Sequence, residues 1–388
     1  MSEPRVALFA DTFYEVNGAA RTCREWYSFA ERRGMPLLCV RWASSPGFTY
    51  DGAVWTLDLV RSSLAFPVDP DLRFDPFFYR GMEAAAAALE RFRPDIVHIT
   101  SPGDLGILGA ILAARLKTRL TLSWHTNLQE FAARRVAKML AWIPGQSRAS
   151  AAHAVEDFVM ERVCWFFSRG EMIFAPNPEL IALLKERTGR PVFPMGRGVD
   201  TDLFRPSRRN RTDSTLVLGY VGRLMPEKNL RLLVRLEAAL RAAGIKDFHF
   251  QFTGAGSERA WLERNLPRAQ FTGVLTGETL ARAYADLDIF VFPSRTDTFG
   301  NVVQEALASG VPAVVTDAGG PRFIVRDGVT GYVAQSDDQF CERTIELARD
   351  AGLRRRMGGE AQRQVESSSW DRVFEEVYAR YDRPRPSA

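Results

Sequence analysis

The 388-residue chain has little of what builds metal centres or disulfide frameworks. Its four cysteines, Cys23, Cys39, Cys164 and Cys341, are scattered and form no C-x-x-C pair. That spacing argues for a reduced, cytosolic chain and against a cysteine metal site. The four histidines, His98, His125, His153 and His249, have no metal-ligand spacing either. No run of about 18 apolar residues is present, so no membrane span is expected. The opening "MSEPRVALFADTF" lacks a basic stretch followed by an apolar one, and no signal peptide is expected. The net charge of +4 is too small to argue for nucleic acid, and no zinc-finger or RNP-type motif occurs. The glycine fingerprint of a dinucleotide-binding enzyme is also missing: "ADTFYEVNG" follows the first apolar run in its place.

What is present is an alternation of short apolar runs with longer helical stretches. "RVALFA", "MPLLCVRW", "DIVHIT", "RLTLSWH" and "EMIFAPN" read as strands. "NGAARTCREWYSFAERRG", "GMEAAAAALERFRP", "GDLGILGAILAARLK" and "PELIALLKERTG" read as helices between or after them. A second series follows, with strands "LVLGYVG", "FHFQFTG", "AQFTG", "IFVFPS", "PAVVTD" and "GYVA". Its helices are "NLRLLVRLEAALRAAG", "SERAWLERNLP", "GETLARAYADL" and "GNVVQEALASG". The class is α/β, with parallel sheets covered on both faces.

The division falls near "GRGVDTDLFRPSRRNRTDST", which is polar and aperiodic. Residues 1–195 are expected as an N-terminal Rossmann-like domain, 196–215 as a linker, and 216–369 as a second domain. A terminal amphipathic helix, 370–388, carries Trp370, Val373, Phe374 and Tyr378 at helical spacing and is expected to rejoin the first domain. Two doubly wound domains with a cleft between them bind ligands outside the carboxyl ends of their strands.

The stretch "SRTDTFGNVVQEALASGVP" sits at such an end. Its loop places Asp297 where it can accept from sugar hydroxyls. A helix then begins near Gly300, and its unpaired N–H groups suit a phosphate or oxyanion. Glu305 lies about one turn inside, on a side chain that tilts back toward the helix start. A ligand with both hydroxyls and phosphates, such as a nucleotide-sugar, fits this pattern.

These segments together resemble the retaining GT-B glycosyltransferases of the large family four, over nearly the whole chain. The first strand and glycine loop are "RVALFADTFYEVNGAARTCRE", and "SWHTN" is similar to the family's central histidine motif. "GRGVDTDLFRP" is similar to its linker signature, "GYVGRLMPEKNL" to its phosphate-binding segment, and "DTFGNVVQEALASGVPAVVTDAGG" to its E-x7-E block. D-T-F with N-G, H-T-N and T-D-T-F-G-N most resemble a lipid-glycosylating subgroup. That subgroup includes GDP-mannose-dependent α-mannosyltransferases and sulfolipid synthases using UDP-sulfoquinovose. The resemblance implies a GT-B fold, transfer from a nucleotide-diphosphate sugar with retention, and no required metal or cofactor. The first acid is aspartate where the general family has glutamate; the subgroup shares the change, which shortens the reach toward the donor sugar.

By this resemblance Arg223 and Lys228 hold the donor diphosphate and stabilise the leaving group, Glu305 accepts from ribose hydroxyls, and His125 and Asp297 sit near the donor sugar. Phe299, Gly300 and Asn301 offer backbone N–H groups, backbone near Gly273 and Val274 meets the base, and Gly18 lets the chain approach a phosphate. Each has a plainer alternative: solvated cations for Arg223 and Lys228, a dipole-favoured acid for Glu305, a cap for Asp297, a turn for Gly300, a strand-to-helix turn for Gly18, a structural histidine for His125. "DLD" (Asp286–Asp288) and "DPD" (Asp69–Asp71) have metal-like spacing, but the first enters a strand and the second a proline-rich loop. "TGAGS" (Thr253–Ser257) reads as a strand-to-helix turn. Residues Asn127–Arg148 mix cations with apolar residues and suit either an anionic membrane surface or a solvated helix. The aromatic-rich Ala65–Gly81 suits an acceptor pocket or a packed loop.

The expected activity is α-glycosyl transfer, mannose favoured, to a lipid or glycolipid acceptor by a cytoplasmic protein with possible peripheral contact at the inner face of the membrane. The alternative donor is a UDP-sugar, with glucose, N-acetylglucosamine or sulfoquinovose going to a lipid, soluble or polysaccharide acceptor. A nucleotide-sugar binder without catalysis is a different class; retained Arg223, Lys228 and Glu305 argue against it.

Overall fold

The computed structural model describes residues 3–15, 17–50, 52–69, 72–125 and 145–381. It divides into two compact units, Met1–Gly196 with Phe374–Ala388, and Arg197–Val373. Each is an α/β body around its own sheet, and the architecture is GT-B, with two Rossmann-like halves.

The first unit contains β1 (Val6–Ala10), β2 (Leu37–Trp42), β3 (Gly47–Thr49), β4 (Val54–Leu59), β5 (Phe66–Asp69), β6 (Leu72–Phe74), β7 (Ile96–Ile99), β8 (Arg119–Ser123), β9 (Met172–Ala175) and β10 (Val192–Pro194). Its main sheet runs β10-β9-β8-β7-β1-β2-β4-β3. All pairings are parallel except the β3–β4 edge. Every residue of β1, β7 and β9 is buried, as continuous apolar runs covered on both faces require. The strand order reverses between β1 and β7. The loops leaving these two strands therefore diverge at the sheet's carboxyl edge, where such folds admit ligands. The 65–81 stretch forms the small β5–β6 hairpin and a 3-10 turn. From Phe374 onward, helix Trp370–Tyr381 belongs to this unit. Its Phe374 stacks on Trp26 with ring centroids 5.2 Å apart, and Val377, Tyr378 and Tyr381 are buried.

The second unit holds β11 (Leu216–Val221), β12 (Phe248–Thr253), β13 (Gln270–Gly273), β14 (Ile289–Phe292), β15 (Ala313–Thr316) and β16 (Gly331–Ala334). All six pair in parallel in the order β13-β12-β11-β14-β15-β16. Here the order reverses between β11 and β14. Helices Asp337–Arg349 and Ala351–Val365, not expected from periodicity, complete this unit; Ser336 and Asp350 cap them.

The segment expected as a connector is built into the second unit. Asp286 accepts from the backbone N–H groups of Asn210 and Arg211 at 2.8 and 2.9 Å. Asp288 accepts from Arg209 and Arg211 at 2.9 and 3.0 Å. Phe204 is buried edge-on to Tyr284. The two acids of "DLD" are thus committed to pinning the arginine-rich segment. In the "DPD" triplet, Pro70 and Asp71 lie outside the described residues, and so do residues 127–144 of the candidate membrane stretch. Among the described residues, no helix is long and apolar enough to cross a membrane.

Candidate active site

The second unit's site forms where β11 and β14 diverge. The loop after β11 carries Arg223 and Lys228; the loop after β14 carries Ser294 and Asp297. Lys228 Nζ lies 2.8 Å from both carboxylate oxygens of Asp297. Lys228 is buried, so its charge is held where water screens it little. Ser294 Oγ also donates to Asp297 Oδ2. Burial by itself would raise the Asp297 carboxyl. The Lys228 charge and hydrogen bonds, the Ser294 hydroxyl and the Arg223 charge outweigh it and hold the group below the usual carboxylate range. The loop acid expected to be open to sugar hydroxyls is therefore already engaged, because a buried lysine beside it needs a counter-charge.

Arg223 reaches Glu227 Oε1 at 3.3 Å, and the buried Tyr220 hydroxyl donates to its carbonyl at 3.0 Å. Tight loop packing sets its backbone. A Cβ on Gly254 would lie 2.0 Å from the Gly222 carbonyl oxygen, and one on Gly256 2.2 Å from that of Leu224. "TGAGS" is thus the turn that seats the Arg223 loop.

Helix Asn301–Ala308 begins after Gly300, whose φ of 104° is open to glycine. The N-cap has no side-chain hydrogen bond. Glu305, one turn in, is buried, and Tyr284 Oη donates to its Oε2 at 2.8 Å. Asp297 and Glu305 thus have different partners, a loop lysine and a core tyrosine. Phe299 is half-buried, and the Arg197 guanidinium lies 5.8 Å from its ring centroid. Gly320 donates its N–H to the Asp297 carbonyl at 2.6 Å. Val274 is exposed just past β13.

The first unit's candidates are described in that unit alone. Gly18 opens helix Gly18–Arg33 rather than lying in the preceding loop. Asn17 is the cap and accepts from Ala20 N at 2.8 Å. His125, two residues past β8, is buried, and its Nε2 lies 2.6 Å from Ser123 Oγ. At the carboxyl end of β1, Asp11 and Asp104 are both buried. Burial, then the Asp104 charge, pushes the Asp11 carboxyl well above its usual range. Asp104 accepts from Trp42 Nε1 and Asp75 N at 2.8 Å each, and Arg61 lies 3.6 Å away.

Sequence reasoning assigned no role to Ser294, Tyr284, Arg197 or Ser123. Ser294 and Ser123 left a faint signal: one lies three residues before Asp297, the other two before His125 on the same side of an extended chain. Tyr284 and Arg197 approach the site from elsewhere in the fold.

Comparison with known proteins follows this division. Residues 16–203 match the model described as Glycosyltransferase Family 4, and residues 215–350 that described as Glycosyl transferases group 1. A GDP-mannose-dependent alpha-mannosyltransferase of Mycolicibacterium smegmatis is 35% identical over 304 residues, 76% of this chain and 75% of the relative. A sulfoquinovosyl transferase of Arabidopsis thaliana is 29% identical over 394 residues, 95% of this chain and 72% of the relative. Among solved structures, the sucrose-phosphate synthase of Thermosynechococcus elongatus superposes with a TM-score of 0.72 at 18% identity, covering 97% of this chain and 98% of that one, a likeness of fold.

Proposed function

The chain belongs to the group 1 glycosyl transferases, hexosyl-transferring enzymes, and from that premise we propose that it moves mannose from GDP-mannose to a lipid or glycolipid hydroxyl with retention of configuration. The observation that carries this reading is the Lys228–Asp297 pair, with Arg223 near it, at the switch point of the second sheet. A sugar diphosphate brings negative charge that grows on the leaving oxygen as the glycosidic bond breaks. Fixed cations placed there before the reaction stabilise that charge without reorganising. Arg223 and Lys228 take this role, with no metal required. The N–H groups of Phe299, Gly300 and Asn301 add the partial positive charge of a helix start.

Glu305, oriented by Tyr284, accepts from the ribose hydroxyls. The backbone at Gly273 and Val274 meets the base. His125 and Asp297 address the donor sugar, and Gly18 lets backbone N–H groups near a phosphate. The acceptor hydroxyl attacks the anomeric carbon from the face that the leaving group departs, and its proton passes to the leaving phosphate oxygen. A cavity of ≈ 400 Å³ in the first unit supports an apolar acceptor. It lies beside the carboxyl end of β7 and is lined by Pro102, Ile107, Val159, Val163, Trp165 and Phe166, with Arg162.

The similarity to the sulfoquinovosyl transferase supports a second reading, a UDP-sugar donor on the same site. Calorimetric titration with GDP and separately UDP decides between them. Preference for GDP upholds the mannosyl reading, and preference for UDP transfers it to the second. Binding of neither removes the donor site.

A further inference from the structure

Three side chains of the first unit that no assigned role uses, Tyr381, His98 and Ser123, form a hydrogen-bonded row with His125. Tyr381, on the last turn of the C-terminal helix, places Oη 2.7 Å from His98 Nδ1. His98 Nε2 lies 2.8 Å from Ser123 Oγ, and Ser123 Oγ lies 2.6 Å from His125 Nε2. All four are buried. Parallel pairing of β7 with β8 brings His98 opposite Thr121 and leaves Ser123 one step beyond the last paired residue. Trp26 packs edge-on to the His98 ring at 4.7 Å, and Phe174 lies beside it.

The row admits three proton orders, because the Ser123 oxygen can donate once and accept twice. A neutral His98 has one N–H, so it donates at one nitrogen and accepts at the other. Burial among aromatic rings keeps it neutral, with its pKa pushed down to about 3. In one order the Tyr381 hydroxyl donates to His98 Nδ1, His98 Nε2–H donates to Ser123, and Ser123 donates to His125 Nε2. In the reverse order the Tyr381 hydroxyl only accepts. Among the described residues, His98 Nδ1 is the acceptor within reach of that phenol, so the reverse order strands a buried O–H. An unsatisfied donor of that kind costs about 1–3 kcal/mol. In a third order His98 and His125 both donate Nε2–H to Ser123 Oγ, and the buried Ser123 O–H is then the group left without an acceptor among the described residues, at a similar cost. The first order is selected.

We propose that Tyr381, His98 and Ser123 are positioning residues that hold His125 as the tautomer protonated on Nδ1, with Nε2 accepting from Ser123. In that tautomer Nδ1 of His125 is a donor rather than an acceptor. Placing that donor at the glycosyl donor rests on the proposed function; the tautomer itself does not.

Long-range proton–nitrogen correlation on histidine-labelled, ligand-free protein at neutral pH reads the tautomer directly. His125 is assigned by loss of its signals in His125→Gln. The expected result is a protonated Nδ1 and an unprotonated Nε2 on His125. A proton on Nε2 alone, or on both nitrogens, overturns the proposal. Ser123→Ala is expected to move the His125 proton toward Nε2 and lower kcat/KM by roughly tenfold, the worth of one hydrogen bond. Ser123→Thr restores both. An unchanged tautomer in a folded Ser123→Ala also overturns it, and the wild-type spectrum decides if that variant does not fold. If the tautomer is as expected but His125→Gln transfers sugar at the wild-type rate, the relay stands and the assigned role of His125 falls.

Discussion

Lys228 grips both oxygens of Asp297 at 2.8 Å, although the two residues come from loops on different strands. The pair keeps a cation in place before any ligand arrives. Lys228→Ala should lower transfer by about 100-fold or more. It also leaves the half-buried Asp297 without its counter-charge and should lower the melting temperature. Lys228→Ala with Asp297→Asn should recover the melting temperature but not the activity. Turnover near wild type in Lys228→Ala would remove the lysine from the phosphate role.

Glu305 is the second acid, and Tyr284 orients it. Glu305→Gln should weaken nucleotide binding by roughly tenfold if the carboxylate accepts from ribose. Tyr284→Phe keeps the acid and removes its anchor, so its effect should be smaller and of the same sign. Titration calorimetry with GDP checks both. Unchanged affinity in Glu305→Gln takes the residue out of the ribose site.

The strands were legible because a sheet buried on both faces writes continuous apolar runs, as in β1, β7 and β14. Strand β4 was not, since Val54–Leu59 mixes buried with half-buried positions and starts beside a bend. The anchoring of the 196–215 segment was not legible for a similar reason. Its composition is that of a loop, and only Asp286 and Asp288, far along the chain, show that its arginines are anchored. Arg223, Lys228 and Asp297 could be found because strand-end loops are where parallel sheets keep their chemistry. That Lys228 and Asp297 touch follows from the order β11–β14, which no local pattern encodes.

His98 ties acid stability to one buried group. Its folded pKa of about 3 lies below the ordinary 6.5. Below pH 6.5 the unfolded chain therefore binds a proton that the folded one refuses. Stability from neutral His98 is complete above pH 6.5 and is lost as pH falls toward 3, at up to about 1.4 kcal/mol per pH unit. His249, also lowered by burial first, acts in the same direction. His98→Asn should flatten the acid limb of a melting-temperature profile. A limb of unchanged slope would place the acid sensitivity elsewhere.

The Asp11–Asp104 pair has the opposite sign. Asp11 is raised, so its stability contribution is complete at acid pH and is lost as pH rises through its folded pKa. Asp11→Asn keeps an acceptor for Leu105 N, now 2.8 Å from Asp11 Oδ1, and can offer an N–H to the Asp104 carboxylate. It should melt no lower than wild type at pH 7 and above. Asp104→Asn, which must serve Trp42 Nε1 and Asp75 N, should lose about 1–3 kcal/mol. Equal losses in both variants would show that Asp11 is ionised at neutral pH.

Gly320 tests whether the Asp297 loop must be held in place. A Cβ there would stand 2.2 Å from the Thr298 carbonyl oxygen and 2.4 Å from Phe299 Cα, both backbone atoms that cannot rotate away. Gly320→Ala must therefore shift the loop or the 3-10 turn Gly320–Phe323 that contacts it. The shift misplaces Asp297 and the first N–H groups of helix Asn301–Ala308 together, while the core beneath stays packed. A displacement of an ångström can cost about 100-fold in rate. The variant should fold and still bind nucleotide through Glu305, with kcat reduced far more than affinity. Activity within twofold of wild type would mean that the loop finds its catalytic position only when the donor binds.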